Sequence, residues 1–277
     1  MDIFFINNKF VSKEDAVISV NDLSLLRGYG VFDFLRTYNG CPFYLKEHLK
    51  RFATSARLIG LFLPLPEDRI GDFVREAIDR SDHPEKNVRL LLTGGVSDNG
   101  ITPGDNPQLI ILVTAVETPP GHWLDKGVKV ITSHVERFMP PAKTINYIPA
   151  IISLNSAARQ GAIEAIYVDK DGYMLEGTTS NFFAFKNNTL ITPPGDRILA
   201  GITRNVVLEL AKSRFELVER RVHKDEIALF DESFITSSTK EVVPVTTIDE
   251  VTLGDSPGPR TTRVLSLFHE FTSSYGK

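Results

Sequence analysis

At 277 residues, with 42% hydrophobic and 24% charged side chains, the chain has the composition of a soluble globular protein and too much apolar surface to stay disordered. Its length suits two domains with a substantial buried core. A net charge of −4 gives no long-range attraction to phosphate backbones or anionic lipids, so small molecules are the expected partners, with no nucleic acid and no membrane.

The opening Met1-Asp2-Ile3 lacks the cationic start and apolar run of a signal peptide, which points to a cytoplasmic protein. Residues 3–6 and 9–11 flank Asn7-Asn8, a pair that tolerates the positive φ of a tight turn, and predict a hairpin. Residues 31–38 alternate and are rich in aromatic and branched side chains; Asn39-Gly40 turns the chain and residues 41–44 return as a second hairpin. This hairpin holds Cys41, whose solitude rules out an internal disulfide and fits a reducing compartment. Leu45, Leu49, Phe52, Ala53, Ala56 and Ile59 then recur at helical spacing as far as Gly60. Residues 67–80 form a second predicted helix, and strands at 88–93 and 109–115 flank a turn-rich loop from 94 to 107. Strands followed by helices predict the α+β class. Residues 117–127 carry paired prolines and no periodicity, so they read as a linker between a small α+β domain at 1–116 and a larger domain at 128–277.

The second half continues with a strand at 128–132, a Pro140-Pro141 turn and a helix over 149–159. Short strands follow at 164–168, 173–175 and 181–185, the first two joined by Asp171-Gly172. Asn187-Asn188-Thr189 reads as a turn rather than a glycosylation site. A helix opens at Gly201-Ile202-Thr203, residues 214–221 are strand-like, and 233–236 lead into Ser237-Ser238-Thr239 before an amphipathic helix at 260–271. The six histidines include no pair at the spacing of a helical zinc site, so no metal is expected.

Singly, the residues that could carry chemistry have ordinary explanations. Lys143 follows Pro140-Pro141-Ala142 and by itself is a solvated lysine, but Thr144-Ile145-Asn146-Tyr147 and a small-residue helix follow it, which permits close packing over a ligand. Glu176-Gly177-Thr178-Thr179-Ser180-Asn181 would usually be a loop, and Arg51 surface charge. Gly201-Ile202-Thr203-Arg204 either caps a helix or offers backbone N–H groups to an anion. Ser237-Ser238-Thr239 adds hydroxyls suited to a phosphate or to a polar strand exit.

Taken in order, six segments resemble the class IV aminotransferases, the fold type IV pyridoxal-phosphate enzymes. They are Gly-Val-Phe-Asp-Phe-Leu-Arg (30–36), His-Leu-Lys-Arg-Phe (48–52), Lys-Thr-Ile-Asn-Tyr (143–147), Glu-Gly-Thr-Thr-Ser-Asn-Phe-Phe (176–183), Gly-Ile-Thr-Arg (201–204) and Thr-Ser-Ser-Thr-Lys-Glu-Val (236–242). The resemblance implies a two-domain α+β fold with a pseudo-barrel C-terminal domain, a homodimer, and pyridoxal 5′-phosphate carried by Lys143 as a Schiff base. It implies that Glu176 pairs with the pyridinium nitrogen and that Tyr147 bonds the phenolic oxygen. Arg51, the amides of Ile202 and Thr203 and the Thr239 hydroxyl would hold the phosphate, with Asn181, Gly201 and Ser238 completing the cofactor-binding set. Such assignments suit the chemistry, since a carboxylate keeps the ring nitrogen protonated and an arginine with oriented amides compensates a phosphate dianion.

Arg27 and Arg89 are the candidate substrate-binding residues. Alone they are loop or strand-edge charges; within the resemblance both border the substrate side, where each could grip a carboxylate. The branched-chain enzymes commonly carry tyrosine at the place of Arg27 and Tyr-x-Arg where this chain has Asn87-Val88-Arg89. The Arg-x-His of the better-known D-amino-acid enzymes is also missing. The expected activity is therefore transamination between D-amino acids, of the D-glutamate or D-alanine type, and 2-oxo acids. A branched-chain L-amino-acid aminotransferase, an aminodeoxychorismate lyase and a non-catalytic anion-binding protein are the alternatives.

Overall fold

In the computed structural model, which describes residues 1–277, Asn7 and Asn8 hold φ of 48° and 67° and close the hairpin between β1 (Ile3–Ile6) and β2 (Lys9–Val11). The short helix α1 (Leu23–Arg27) leads into β3 (Gly30–Tyr38), which turns at Asn39-Gly40 into β4 (Cys41–Pro42). Helices α2 (Leu45–Leu58) and α3 (Glu67–Arg80) precede β5 (Lys86–Thr93) and β6 (Gln108–Ala115). The six strands form one antiparallel sheet in the order β2-β1-β6-β5-β3-β4. Strand alternation sends Val31, Leu35, Val88, Leu90, Leu92, Ile111 and Val113 to one face, where they pack with Leu49, Phe52, Ile70, Val74 and Ala77 of the two helices. Each such valine, leucine, isoleucine or phenylalanine stabilises the unit by about 1.5–3 kcal/mol. The opposite face keeps Phe32, Phe34 and Leu91 half-buried and Arg89 exposed.

Two compact units partition the chain. One comprises Met1–Glu117 with Ala142–Asn146 and Ser273–Lys277; the other comprises Thr118–Pro141 and Tyr147–Thr272. Lys143, which a simple cut near residue 128 would assign to the C-terminal half, is stitched into the N-terminal sheet. Phe32 N donates to Lys143 O at 2.9 Å, Ile145 N donates to Gly30 O at 3.1 Å, and Val31 bridges Thr144.

The second unit contains α4 (Gly121–Lys126), β7 (Val128–His134), α5 (Ile148–Arg159), β8 (Glu164–Val168), β9 (Tyr173–Gly177), β10 (Asn181–Lys186) and β11 (Thr189–Thr192). After α6 (Ile202–Ala211) come β12 (Glu216–Glu219), β13 (Val222–His223), a 3-10 helix at Lys224–Leu229, β14 (Glu232–Ser237), β15 (Glu241–Ile248), β16 (Val251–Thr252) and α7 (Pro259–Ser274). The strands run β12-β11-β10-β14-β15-β7-β8-β9-β13, with β16 beside β15. Contacts β11/β12, β15/β7 and β7/β8 are parallel, and the others are antiparallel. β8 is buried throughout, and β10 nearly so, which explains their unbroken apolar runs.

The structure adds what periodicity did not reveal. The proline-bearing stretch expected to be irregular holds α4, and β11 and β15 were not foreseen. The segment read as a loop from 176 to 181 is strand up to Gly177 and strand again from Asn181, leaving only 178–180 as the turn. None of the helices is long and apolar enough to cross a membrane.

Candidate active site

In the first unit the backbone of Lys143 is held from two sides. Its N–H donates to Ser55 Oγ at 3.1 Å, its carbonyl takes the Phe32 bond described above, and Ser55 is itself fully buried on α2. The Lys143 ammonium lies 4.5 Å from the centroid of the Phe32 ring, a cation–π contact. A lysine anchored this way has its backbone fixed against both β3 and α2.

Beside it, on the helix-facing side of β3, Asp33 is wholly buried. His48 and Arg51, three apart on α2 and so on one helix face, both reach it. His48 Nδ1 is 2.7 Å from Asp33 Oδ1, and Arg51 donates through Nε to Oδ2 at 2.9 Å and through Nη2 to Oδ1 at 2.8 Å. Because a carboxylate only accepts, His48 must carry its proton on Nδ1. Burial alone would raise the Asp33 carboxyl, but the Arg51 guanidinium and the His48 contact outweigh it and hold it far below the usual carboxylate range. Burial depresses His48; Asp33 pulls the other way, while Arg51 and the Lys143 ammonium again oppose its protonation. Lys143 and this cluster therefore share one electrostatic neighbourhood.

Arg89 stands opposite Phe34 in the β3/β5 register, with its guanidinium 5.5 Å from that ring. Phe32 and Phe34 are alternate residues on the same face of β3, about 6.6 Å apart along the strand. The lysine amine and the Arg89 guanidinium thus sit over neighbouring rings, and Arg89 forms no ion pair. Arg27, the other candidate, lies on a different element of the first unit. It is exposed at the end of α1, donating from Nη1 to Leu26 O at 2.8 Å.

In the second unit Glu176 is nearly buried at the end of β9. It accepts from Arg137 Nη1 at 2.9 Å through Oε1 and from Leu199 N at 3.0 Å through Oε2. Asn181 Nδ2 donates to Leu199 O at 2.9 Å, so both backbone polar atoms of Leu199 are claimed just before α6. The first helical bond of α6 runs from Asn205 N to Gly201 O, which leaves the Ile202 and Thr203 amides without an acceptor inside the helix. Gly201 is required by packing, since a Cβ there would stand 2.0 Å from Asn181 Oδ1. Tyr147 caps α5 through its carbonyl, which accepts from Ile151 N at 2.9 Å. Ser238 is half-buried and Thr239 exposed in the β14–β15 turn, the latter 3.2 Å from Ser237 Oγ. Tyr167, 2% exposed, has its phenol pushed up by burial and by the nearby carboxylates of Glu164 and Glu176, against the pull of Arg137.

These groups suit pyridoxal 5′-phosphate in kind. The α6 amides and the close backbone approach at Gly201 fit a phosphate dianion, the Glu176 carboxylate fits a pyridinium N–H, and the Lys143 amine fits an aldehyde. Sequence reasoning missed Asp33, His48, Arg137, Tyr167 and Glu164. An aspartate in the middle of the apolar strand Gly30–Tyr38 was the signal for the first two, because a charge at an inward strand position needs partners. Arg137 carried no such signal.

The profile of the family described as amino-transferase class IV matches residues 30–248. A putative branched-chain-amino-acid aminotransferase of Methanocaldococcus jannaschii is 35% identical, covering 98% of this chain and 97% of that protein. A D-alanine aminotransferase of Bacillus licheniformis is 33% identical, covering 95% and 94%. Among solved structures, a T.th. branched-chain amino acid aminotransferase with pyridoxamine 5′-phosphate superposes with a TM-score of 0.91 at 28% identity, covering 98% and 94%.

Proposed function

Because this chain belongs to the class IV aminotransferases and has the fold type IV architecture, its cofactor is pyridoxal 5′-phosphate, and we propose that it exchanges amino groups between D-amino acids and 2-oxo acids. The observation that carries the reading is that the Lys143 amine and the Arg89 guanidinium lie against Phe32 and Phe34, alternate half-buried rings on one face of β3. An α-amino acid carries its amine and carboxylate on one carbon, so a guanidinium on the lysine's face of the sheet is the group its carboxylate calls for.

When bound, the cofactor supplies an electron sink for the pair left by a broken Cα–H bond. Lys143 Nζ would hold the cofactor, and its free amine would carry the Cα proton. Glu176 offers its carboxylate to the ring nitrogen, and Arg137 fixes the direction of that carboxylate. Arg51, the Ile202 and Thr203 amides, Ser238 and Thr239 bind the phosphate, with Asn181 and Gly201 shaping the approach. Tyr147 holds the phenolic oxygen. Arg89 grips the substrate carboxylate, and Arg27, on the exposed end of α1, is the second carboxylate ligand in the proposal. Arg27 and Asn87 in place of the tyrosines usual in branched-chain enzymes, together with a D-alanine aminotransferase relative over nearly the whole chain, support the D-series. We include a cytoplasmic homodimer in the proposal: Cys41 is unpaired, and α5 exposes Ile148, Ile151 and Ile152.

A second reading, a branched-chain L-amino-acid aminotransferase, is favoured by the archaeal relative and by the apolar Phe32, Phe34 and Leu91 surface. A half-reaction separates the two. Mixed with one amino acid and no acceptor, the protein should lose its visible cofactor band with D-alanine or D-glutamate and keep it with L-leucine. Bleaching by L-leucine alone would transfer the conclusion to the second reading. Borohydride reduction and peptide mapping should put the label on Lys143; a label on another lysine would remove the site assignment.

A further inference from the structure

Three consecutive hydroxyl side chains, Thr178, Thr179 and Ser180, make up the turn between β9 and β10, and all three point to one carboxylate. Glu164, at the start of β8, is wholly buried. Its Oε1 accepts from Ala165 N at 3.0 Å, Thr178 N at 3.1 Å and the Thr178 hydroxyl. Its Oε2 accepts from Thr179 Oγ1 at 2.8 Å, Ser180 Oγ at 3.1 Å and Lys240 Nζ at 3.3 Å. Lys240 also donates to Thr179 Oγ1 at 2.6 Å. The turn closes on itself through Gly177 N and Ser180 O at 2.7 Å, and a Cβ at Gly177 would stand 2.2 Å from Ser180 Oγ. Burial by itself would raise the Glu164 carboxyl, but Lys240 and the donated hydrogen bonds outweigh it and hold it below its ordinary range.

What this turn joins gives the carboxylate its meaning. Glu176 and Asn181 flank it, and together they grip the N–H and C=O of Leu199, just ahead of the open amides of α6. The turn is the covalent link between the two grips, and its ends are set in different strand pairs, Asn181 opposite Thr236 and Gly177 opposite Ile166, so its shape governs how Glu176 and Asn181 face Leu199 together. We infer that Glu164, braced by Lys240, is a positioning residue that sets the α6 phosphate cradle and the direction of Glu176 without touching the cofactor. The inference rests on the phosphate-binding role given above to α6.

Glu164→Gln keeps the volume but turns an N–H donor group toward the Lys240 ammonium and the Thr179 and Ser180 hydroxyls. Thr178→Val removes one hydroxyl donor and leaves the backbone bond, so it tests the same linkage with less risk to folding. Apoenzyme is titrated with pyridoxal 5′-phosphate and, separately, with pyridoxal, which lacks the phosphate; circular dichroism and thermal midpoints are followed alongside. Wild type should prefer the phosphorylated form. Glu164→Gln should cut that preference about tenfold or more, and Thr178→Val about threefold, because the phosphate form loses both the cradle and the Glu176 alignment while pyridoxal loses only the latter. Variants that lower the thermal midpoint but keep the wild-type preference would overturn the inference, leaving Glu164 a purely structural carboxylate and the cradle intact. A wild type with no preference would overturn the cradle itself, and the inference with it.

Discussion

Replacing Arg89 with methionine tests the chemistry of the substrate side most directly. The guanidinium is exposed and forms no ion pair; its partner is the Phe34 ring at 5.5 Å. Loss of that exposed cation–π contact costs about 0.5–1 kcal/mol of stability, and methionine retains the stem that covers the sheet. Against a substrate carboxylate the same group provides charge-assisted hydrogen bonds of about 1.5–3 kcal/mol, which corresponds to roughly a 10- to 150-fold fall in kcat/KM. Arg89→Lys, which retains the charge but not the fork, should fall between wild type and Arg89→Met. The assay is the single-turnover half-reaction with D-alanine and D-glutamate, run beside a primary amine that has no carboxylate. The carboxylate substrates should lose rate and the amine should not. If Arg89→Met transaminates D-alanine within about twofold of wild type, or loses both substrate types equally, then Arg89 does not hold the carboxylate.

Two further outcomes follow from His48 and Gly201. His48 is depressed in the folded protein, so as pH falls below the ordinary value of about 6.5 the unfolded chain takes up the proton first, and stability declines from there toward the lowered folded value. Asp33, depressed as well, adds a further loss only as pH falls below about 4. The urea midpoint should therefore drop between about pH 7.5 and about pH 5.5 in wild type and drop less in His48→Asn, which can keep a donor on Asp33. His269, raised by Glu241, acts with the opposite sign but is present in both proteins and cancels from the comparison. Equal slopes would show that His48 is not buried in its neutral form. Gly201→Ala places a methyl 2.0 Å from Asn181 Oδ1, so the lead-in to α6 must shift. A loss of about 1–3 kcal/mol in stability and a weakened hold on pyridoxal 5′-phosphate are expected in chemical denaturation and cofactor titration; unchanged affinity would mean that α6 is not the phosphate cradle.

Much of the fold is local, and local features were legible. Asn7-Asn8 and Asn39-Gly40 supply the positive φ their hairpins need, and the spacing of Leu45, Leu49, Phe52 and Ala56 defines the buried face of α2. The helix at Glu67–Arg80 and the strand at Glu164–Val168 have the limits their patterns predict. The candidate site was legible as ordered segments: Lys143, Glu176 and Gly201 each lie in a motif, and the match over residues 30–248 places them in one family. Partnership was not legible. Arg51 looked like surface charge, and its place on Asp33 depends on a strand and a helix meeting 18 residues apart in sequence.

What the sequence alone determined about this protein is its class, its turns, its helix faces and the residue types available for chemistry, because backbone sterics and hydrophobic periodicity act over a few residues at a time. Tertiary structure decided which charges are satisfied and by whom. Lys143 is bonded to β3 and to Ser55 on α2, so it clusters with a unit whose main stretch ended 26 residues earlier, at Glu117. Glu164 gathers three hydroxyls and a lysine from up to 76 residues away. Such pairings arise because a buried charge must find compensation wherever the packed chain brings it, and no periodicity records that need.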